Sequence, residues 1–505
     1  MKPDDAFAAA PLIILALACI ASLAAVSFAK RKARAAFAVC AIGMALALAA
    51  AFALSLPMMP RRIGDLLSMD GLSLVGTTII LASALAIAIV SRPYLARREG
   101  ERGEYYALLL FASLGASVLA ASSSMATLFL GLELLSVSLY ALVAYRRERA
   151  EGARAAFTYL ILASVASAFL FFGMALAYYQ TGSLELQRII GAAADGSGGP
   201  LMIAALAMMG VGFAFKLAVA PFHMWALEVY EGASAPVAAL IATVSKAAMA
   251  IPLIRFLAPP ILATSGGDGA PSFVWIIAIL SGASMIAGNL LALREERVKR
   301  MLAGSSIAQL GYILVALIAG GSYGASSALF YLAAYSLSTL GAFACVAAIS
   351  PADGDASRSD FRALATKRPL AAAVMTVSLL SLAGMPLTAG FMGKFMLFSA
   401  GLGSGGSSAG GRAGTATGIL AILLAFNSAL SLFYYLRLLS LMYRGPAAEA
   451  PEAKKGREAA GESARIGPSR SLLAGSILAL IGLSILVIGI VPGPLLGLIS
   501  SLAGR

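Results

Sequence analysis

The chain has 505 residues, of which 60% are hydrophobic and only 12% are charged, against roughly a quarter charged in soluble proteins. With a mean hydropathy of +0.90, so much apolar surface cannot be hidden inside a water-soluble domain, and lipid is the expected solvent. The net charge of +13 would suit a nucleic-acid binder. The Lys and Arg lie in short loops between apolar runs, however, which a membrane topology rule explains and a phosphate-binding surface does not.

The first apolar run, 10–29, follows Asp4 and Asp5 and precedes Lys30-Arg-Lys-Ala-Arg34. That charge order is the reverse of a cleavable secretory signal and predicts a retained helix with the N-terminus outside. Further runs long enough to cross a bilayer (~20 residues) are predicted at 35–56, 72–91, 105–122, 125–145, 155–180, 201–222, 234–257, 272–293, 303–320, 325–349, 370–400, 414–443 and 471–500. Beta barrels do not show such runs, so the expected fold class is an all-α integral membrane protein of about fourteen transmembrane helices.

The loops check that count independently. Alternate loops carry Lys30–Arg34, Arg92–Arg102, Arg146–Arg154, Arg294–Arg300, Arg358–Arg368 and Arg444–Arg470, which hold 26 of the 37 Lys and Arg. The opposite segments hold only Lys2, Arg61, Arg62, Arg188, Arg412 and Arg505. One missed span would scramble that bias, so fourteen spans with both termini outside is the consistent reading. Arg255 and Arg437 fall near helix ends, where snorkelling to the interface is expected.

Other chemistries find little support. Cys19, Cys40 and Cys345 lie singly in apolar runs, with no C-x-x-C, which argues against disulfide frameworks and iron–sulfur sites. A single histidine, His223, cannot supply a two-His haem or a zinc cluster. The Gly-rich stretch Gly401-Leu-Gly-Ser-Gly-Gly406 follows a span rather than a strand, and reads as a loop rather than a dinucleotide turn. Any redox centre served by this protein is therefore expected on another chain.

Four ionisable residues stand inside predicted spans: Glu133, Lys216, Lys246 and Lys394. Lys246 lies about a dozen residues from either end of its span, ~18 Å from each interface at 1.5 Å per residue. A lysine stem reaches only about 6 Å, so snorkelling fails. An unpaired charge there costs ~2.5–3.5 kcal/mol or more, which calls for water, a partner or loss of the proton. Lys216 is followed by Leu217-Ala-Val-Ala-Pro221, and Lys394 is preceded by Leu382-Ala-Gly-Met-Pro386-Leu-Thr-Ala-Gly390. Proline and glycine inside a span free backbone groups that need polar partners. The shared Leu-Ala-x-x-Pro pattern beside a lysine in each half points to an internal repeat with its site at the breaks. Lysine suits charge transfer because desolvation makes its proton exchangeable near neutrality.

Several longer motifs are specific. They are Phe215-Lys-Leu-Ala-Val-Ala-Pro-Phe-His-Met-Trp225, Val229-Tyr-Glu-Gly-Ala233, Ser245-Lys-Ala-Ala248, Gly288-Asn-Leu-Leu-Ala-Leu-Arg294, Lys299-Arg-Met-Leu-Ala303 with Ser305-Ser-Ile-Ala308, Ser381-Leu-Ala-Gly-Met-Pro-Leu-Thr-Ala-Gly-Phe-Met-Gly-Lys-Phe395 and Asn427-Ser-Ala-Leu-Ser-Leu-Phe-Tyr-Tyr-Leu-Arg437. In this order and over most of the chain, they resemble the subunit N family of bacterial NADH–quinone oxidoreductase (respiratory complex I). The Val-Tyr-Glu-Gly stretch is closer to that family than to the L and M paralogues or the related cation/proton antiporters.

The resemblance implies one polytopic membrane domain: three N-terminal spans (1–104), two inverted antiporter-like repeats of five helices (105–257 and 272–444) and a final span (471–500), with broken seventh and twelfth helices. It implies that Glu133, Lys216, Lys246 and Lys394 form a proton relay at the membrane midplane, driven by quinone reduction elsewhere in the complex. No cofactor is implied on this chain, since NADH, FMN, iron–sulfur clusters and quinone belong to other subunits. The implied partners are the antiporter-like M and L subunits, the small subunits K, J and A, and the lipid of a bacterial cytoplasmic (inner) membrane. Nucleic acid is not among them.

Two positions depart from the family pattern. Thr158-Tyr159 stands where the sixth span normally has a lysine before an aromatic residue, so Glu133 is expected to lack its cationic partner. Gln309 stands where a histidine often follows Ser-Ser-Ile-Ala, and it can hold water but cannot titrate. Trp225-Ala-Leu-Glu228 is read as a connection into the eighth span, and His223 as lying at the inner mouth of the seventh, with a structural or a proton-uptake role. Two other readings stay open: a non-conducting scaffold in the membrane arm, and a subunit of a multisubunit cation/proton antiporter.

Overall fold

The computed structural model describes residues 3–97, 102–146, 149–194, 199–257, 270–351, 356–403, 412–445 and 472–503. In chain order the helices are α1 (Pro3–Ala8), α2 (Ala10–Phe28) and α3 (Lys32–Ala50), the last extended by tighter and wider turns to Met58. A small antiparallel hairpin follows, β1 (Arg61–Ile63) with β2 (Leu67–Met69), in the register Arg61 opposite Met69. Then come α4 (Gly71–Ala96), α5 (Glu104–Ala120), α6 (Met125–Val143), α7 (Ala150–Thr181), α8 (Leu186–Ala194), α9 (Gly199–Leu217), α10 (Met224–Gly232) and α11 (Ala235–Leu240). A π-turn at 241–245 joins α11 to α12 (Lys246–Leu257). The remainder is α13 (Ala270–Arg294), α14 (Val298–Ala319), α15 (Gly321–Ile349), α16 (Leu364–Lys367), α17 (Pro369–Ala383), α18 (Ala389–Gly403), α19 (Arg412–Tyr443), α20 (Leu472–Ile490) and α21 (Gly493–Ala503).

Helix is the form these apolar runs must take, because hydrocarbon leaves backbone N–H and C=O groups no partner outside the segment. Among the described residues, twelve helical segments are long and apolar enough to cross a membrane. The other two predicted spans coincide with α5, 17 residues long, and with the α17–α18 pair, which is split at 384–388. The segments are not equally covered. Both α11–α12 and α14 are buried on every side, whereas α2, α3, α7 and α20 present most of their surface outward. The completely enclosed helices carry Lys246 and Gln309, so the fold places polar groups where lipid cannot reach them.

Tight helix crossings replace hydrophobic driving force, as expected where the solvent is itself apolar. Helices α5 and α6 meet at Gly115 and Gly131, and α13 and α14 meet at Gly288 and Gly304. A Cβ on Gly131 would lie 2.7 Å from the Leu119 nitrogen, and one on Gly304 2.8 Å from the Ala292 nitrogen. In both cases the obstacle is backbone, which cannot swing aside. Gly131→Val is therefore expected to destabilise the α5–α6 crossing by about 3 kcal/mol, read as a lower thermal unfolding midpoint of the purified complex. An unchanged midpoint would show that the crossing yields without cost.

The structure differs from the sequence reading in four places. The seventh span does not stop at residue 222: after a break the chain resumes as α10, so Trp225–Glu228 is helix and His223 sits in the break itself. The apolar window ended early because Pro221 and His223 interrupt it, while the helix restarts beyond them. Arg255 does not snorkel, and Lys299 is buried rather than part of a basic loop, as described below. The expected Gly401–Gly406 loop begins inside α18 at Gly401–Gly403. Residues 404–406 lie outside the described residues, as do Lys2, Arg98, Arg147, Lys454, Lys455, Arg457, Arg465, Arg470 and Arg505 of the basic-loop pattern.

Candidate functional site

The first helix break builds a polar pocket from backbone upward. Past Leu217, Ala218 takes φ +57° and Pro221 offers no N–H, so the α9 ladder cannot continue. The freed groups find side chains: Trp225 Nε1 donates to the Phe215 carbonyl at 3.0 Å, and the Ala220 N–H donates to Ser284 Oγ at 2.9 Å. Lys216, on the last turn of α9, is only 3% exposed. Its ammonium donates to Ser136 Oγ at 2.8 Å and to Tyr159 Oη at 3.2 Å.

Lys246 is tied to the same break. Its side chain is 1% exposed, and its Nζ donates to the backbone carbonyl of Lys216 at 3.0 Å. The ammonium also lies 5.0 Å from the Trp225 ring centroid, within cation–π range. Tyr159 stacks on Trp225 at 4.6 Å, so one aromatic pair serves both lysines. The π-turn immediately before Lys246 is the kind of helix irregularity that concentrates at functional sites.

The second break repeats the plan with different details. Gly384 and Leu387 take φ +84° and +70°, and α17 ends with open carbonyls. Lys394 Nζ, on a side chain 5% exposed, donates to two of them, Leu382 O at 2.8 Å and Ala383 O at 3.1 Å, and to Ser428 Oγ at 3.0 Å. It stands 5.1 Å from the Tyr312 ring centroid. Gln309 Nε2 donates to the same Leu382 carbonyl at 3.1 Å, and its Oε1 accepts the Tyr331 hydroxyl. Thus Gln309 and Lys394 meet on one backbone oxygen. A cavity of ≈ 350 Å³ beside Lys394 opens to the surface past Phe395 and Leu432.

Glu133 sits apart from this interior. It is half-buried on α6, on a face that exposes Leu130 and Val137. Its Oε1 accepts a hydrogen bond from Ser167 Oγ at 2.8 Å. Thr158 is nine residues earlier on α7, ~13 Å along the axis, and its hydroxyl donates to Glu228 Oε1 at 3.3 Å. Position 158 therefore serves Glu228, and Ser167 serves Glu133. Ser167 and Ser136 also line a void of ≈ 10 Å³ with Lys216, about the size that admits one water. His223 stands at the N-terminal boundary of α10 without a side-chain capping bond, and its Nδ1 is buried with no hydrogen-bond partner among the described residues.

Two cations that sequence reasoning placed elsewhere are structural. Lys299 is 3% exposed and donates to Glu231 O at 2.6 Å and Ala233 O at 2.9 Å, closing the C-terminal end of α10. Arg255 clamps Asp70 at 2.7 and 2.8 Å and also donates to Ser122 O at 2.6 Å and Ala120 O at 3.3 Å. Arg437 lies 3.8 Å from Glu296. Among the described residues, no group of three or more His, Cys, Asp or Glu is placed to hold a metal ion.

Comparison with known proteins places this architecture. The family described as "NADH:quinone oxidoreductase/Mrp antiporter, TM" matches residues 122–409. NADH-quinone oxidoreductase subunit N of Methylococcus capsulatus is 36% identical over 98% of this chain and 95% of its own length. The corresponding subunit of Chromohalobacter salexigens is 39% identical over 76% of this chain and 78% of its own. Among solved structures, a chain of respiratory complex I from Thermus thermophilus is 33% identical, covering 96% of this chain and 98% of that one at a TM-score of 0.77. A chain of the Mrp complex from Dietzia is 23% identical, covering 100% and 97%, with a TM-score of 0.81. Since the less identical chain superposes as well, shape alone does not separate these assemblies, and sequence identity does. The chain belongs to the subunit N family of NADH-quinone oxidoreductase, the antiporter-like membrane subunits of complex I.

Proposed function

We propose that this subunit translocates protons through a relay of Glu133, Lys216, Lys246 and Lys394, driven by quinone reduction on other subunits of the complex. One observation carries the reading: Lys216, Lys246 and Lys394 are buried beside the two helix breaks and the π-turn, and none is paired with a carboxylate among the described residues. Their partners are hydroxyls and the carbonyls left open by broken helices. A structural ion pair would supply a counter-charge, and an inert scaffold would have little reason to bury three ammonium groups in a low-dielectric interior at several kcal/mol each.

The connections between these groups support the same reading. Glu133 reaches Ser167, which shares a one-water void with Lys216; the Lys216 carbonyl holds Lys246; and Gln309 joins Lys394 through the Leu382 carbonyl. Among the described residues, the hydroxyls of Ser245 and Ser336 are buried without a protein partner. Buried polar groups of this kind are ordinarily satisfied by ordered water, which would complete a conducting path. In this scheme Gln309 orients water and does not titrate.

Residues 105–257 and 272–444 are read as two antiporter-like repeats. In support, each contains glycine-mediated helix crossings and a lysine beside a proline-containing break. The remaining assignments are the M, L, K, J and A subunits as neighbours and a bacterial cytoplasmic membrane with both termini on the outer side. They rest on the family and on the basic-loop bias.

The test is proton-to-electron stoichiometry in vesicles containing the intact complex with Lys216→Ala or Lys394→Ala. Both variants are expected to assemble and to pump fewer protons per NADH. Full stoichiometry in both would instead identify a scaffold.

A further inference from the structure

At one end of the bundle, α4, α15, α17 and α20 leave a groove of ≈ 310 Å³ that no part of the relay uses. Its walls are apolar, with Val90 from α4, Ala347 from α15, Leu370 from α17 and Leu478 from α20, and its rim carries Arg97, Lys367 and Arg368. The size falls within the range of ligand pockets, ~300–1,000 Å³.

Among the described residues, the three cations have no counter-charge. Arg97 Nε donates to the Pro93 carbonyl at 2.9 Å, and Arg368 Nη1 donates to the Ala348 carbonyl at 2.5 Å. Arg368 Nη2 is buried with no partner. No carboxylate among the described residues pairs with any of the three. Burial, and then the charge of Arg368, lower the Arg97 pKa, and burial likewise lowers that of Arg368. A guanidinium cannot escape such strain by losing its proton. Two guanidinium groups held close together, with an orphaned N–H at the mouth of an apolar slot, need an anion that brings its own hydrocarbon.

We propose that this groove is a binding site for an anionic phospholipid, with the phosphate taken by Arg97 and Arg368, assisted by Lys367, and an acyl chain lying along α15 and α20. The charge complementarity names the occupant. A zwitterionic lipid adds a cation where three already stand, and a free phosphate leaves the apolar walls exposed. Basic pockets at the ends of transmembrane helices are a recurrent mode of recognition for such head groups. The proposal is independent of the relay.

The experiment uses the purified, delipidated complex, titrated in detergent with phosphatidylglycerol or with phosphatidylcholine and followed by native mass spectrometry. The wild-type complex is expected to retain one more tightly held phosphatidylglycerol than the Arg97→Gln/Arg368→Gln complex, with no such difference for phosphatidylcholine. Loss of one charge-assisted contact should weaken binding on the order of tenfold. If the double variant does not assemble, the exposed Lys367→Gln gives the same comparison with a smaller shift. Equal phosphatidylglycerol retention in wild type and in whichever variant assembles would overturn the proposal. So would displacement of the lipid by millimolar inorganic phosphate, which would mark a head-group site without a role for the groove.

Discussion

Lys246→Ala is expected to cut proton translocation by on the order of a hundredfold while leaving the complex assembled. Without the ammonium, a charge crossing that point meets the cost of an unsupported ion at mid-membrane, ~2.5–3.5 kcal/mol, and about 1.4 kcal/mol is a factor of ten in rate. Lys246 is singled out because its span is enclosed on every side and its Nζ bonds the Lys216 carbonyl, so neither bulk solvent nor lipid reaches it. Lys246→Arg separates the two possible roles. Arginine keeps the charge, the hydrogen bond and the cation–π contact with Trp225, yet it does not release its proton. If Lys246 passes protons, Arg should be as inactive as Ala; if it only braces the break, Arg should pump normally. Stoichiometry measured on both variants in vesicles decides, and normal pumping by Lys246→Ala would end the relay hypothesis outright.

Arg255→Ala is expected to cost about 3 kcal/mol of stability, the range for removing one member of a mostly buried pair. The loss is not confined to one ion pair. Asp70, which Arg255 clamps, is also the N-cap of α4, accepting from the Ser73 N–H at 2.8 Å. The same guanidinium holds the carbonyls at the end of α5. Three helix ends, of α4, α5 and α12, therefore share one side chain. The double variant Arg255→Ala/Asp70→Asn should recover part of the loss, because Asn still caps the helix but leaves no stranded carboxylate. The measurement is the thermal unfolding midpoint of the purified complex. If the double variant is no better than the single one, the stranded charge is not the cause.

Hydropathy and loop charge made the spans legible because both act locally: a window of ~20 residues contains everything needed to decide whether it crosses. The buried lysines were legible for the same reason, being charges inside such windows. Proline and glycine marked the two breaks, and Lys216 and Lys394 are found beside them. What stayed hidden was every partner that comes from another helix. Nothing near Lys216 in the chain points to Ser136 or Tyr159, and nothing near Glu133 points to Ser167. Lys299 was misplaced because its neighbours Arg297 and Arg300 look like a solvated loop. One turn of helix is enough to bury it against the α10 carbonyls. Thr158 in place of a lysine led to the expectation that Glu133 lacks a cationic partner; what the sequence did not show is that Ser167, at the level of Glu133 on α7, supplies a hydroxyl instead.

The placement of the two outermost groups has a further consequence for how this subunit behaves alone. Glu133 lies on an outward helix face between Leu130 and Val137, and the cavity beside Lys394 opens past Phe395. Stripped of neighbours, both flanks would meet acyl chains, so the path would end in insulation at each side. An isolated chain in liposomes should therefore be electrically silent, and that silence would say nothing against conduction in the assembled complex. Arranged this way, an unassembled subunit poses no short circuit to the membrane that is waiting to incorporate it.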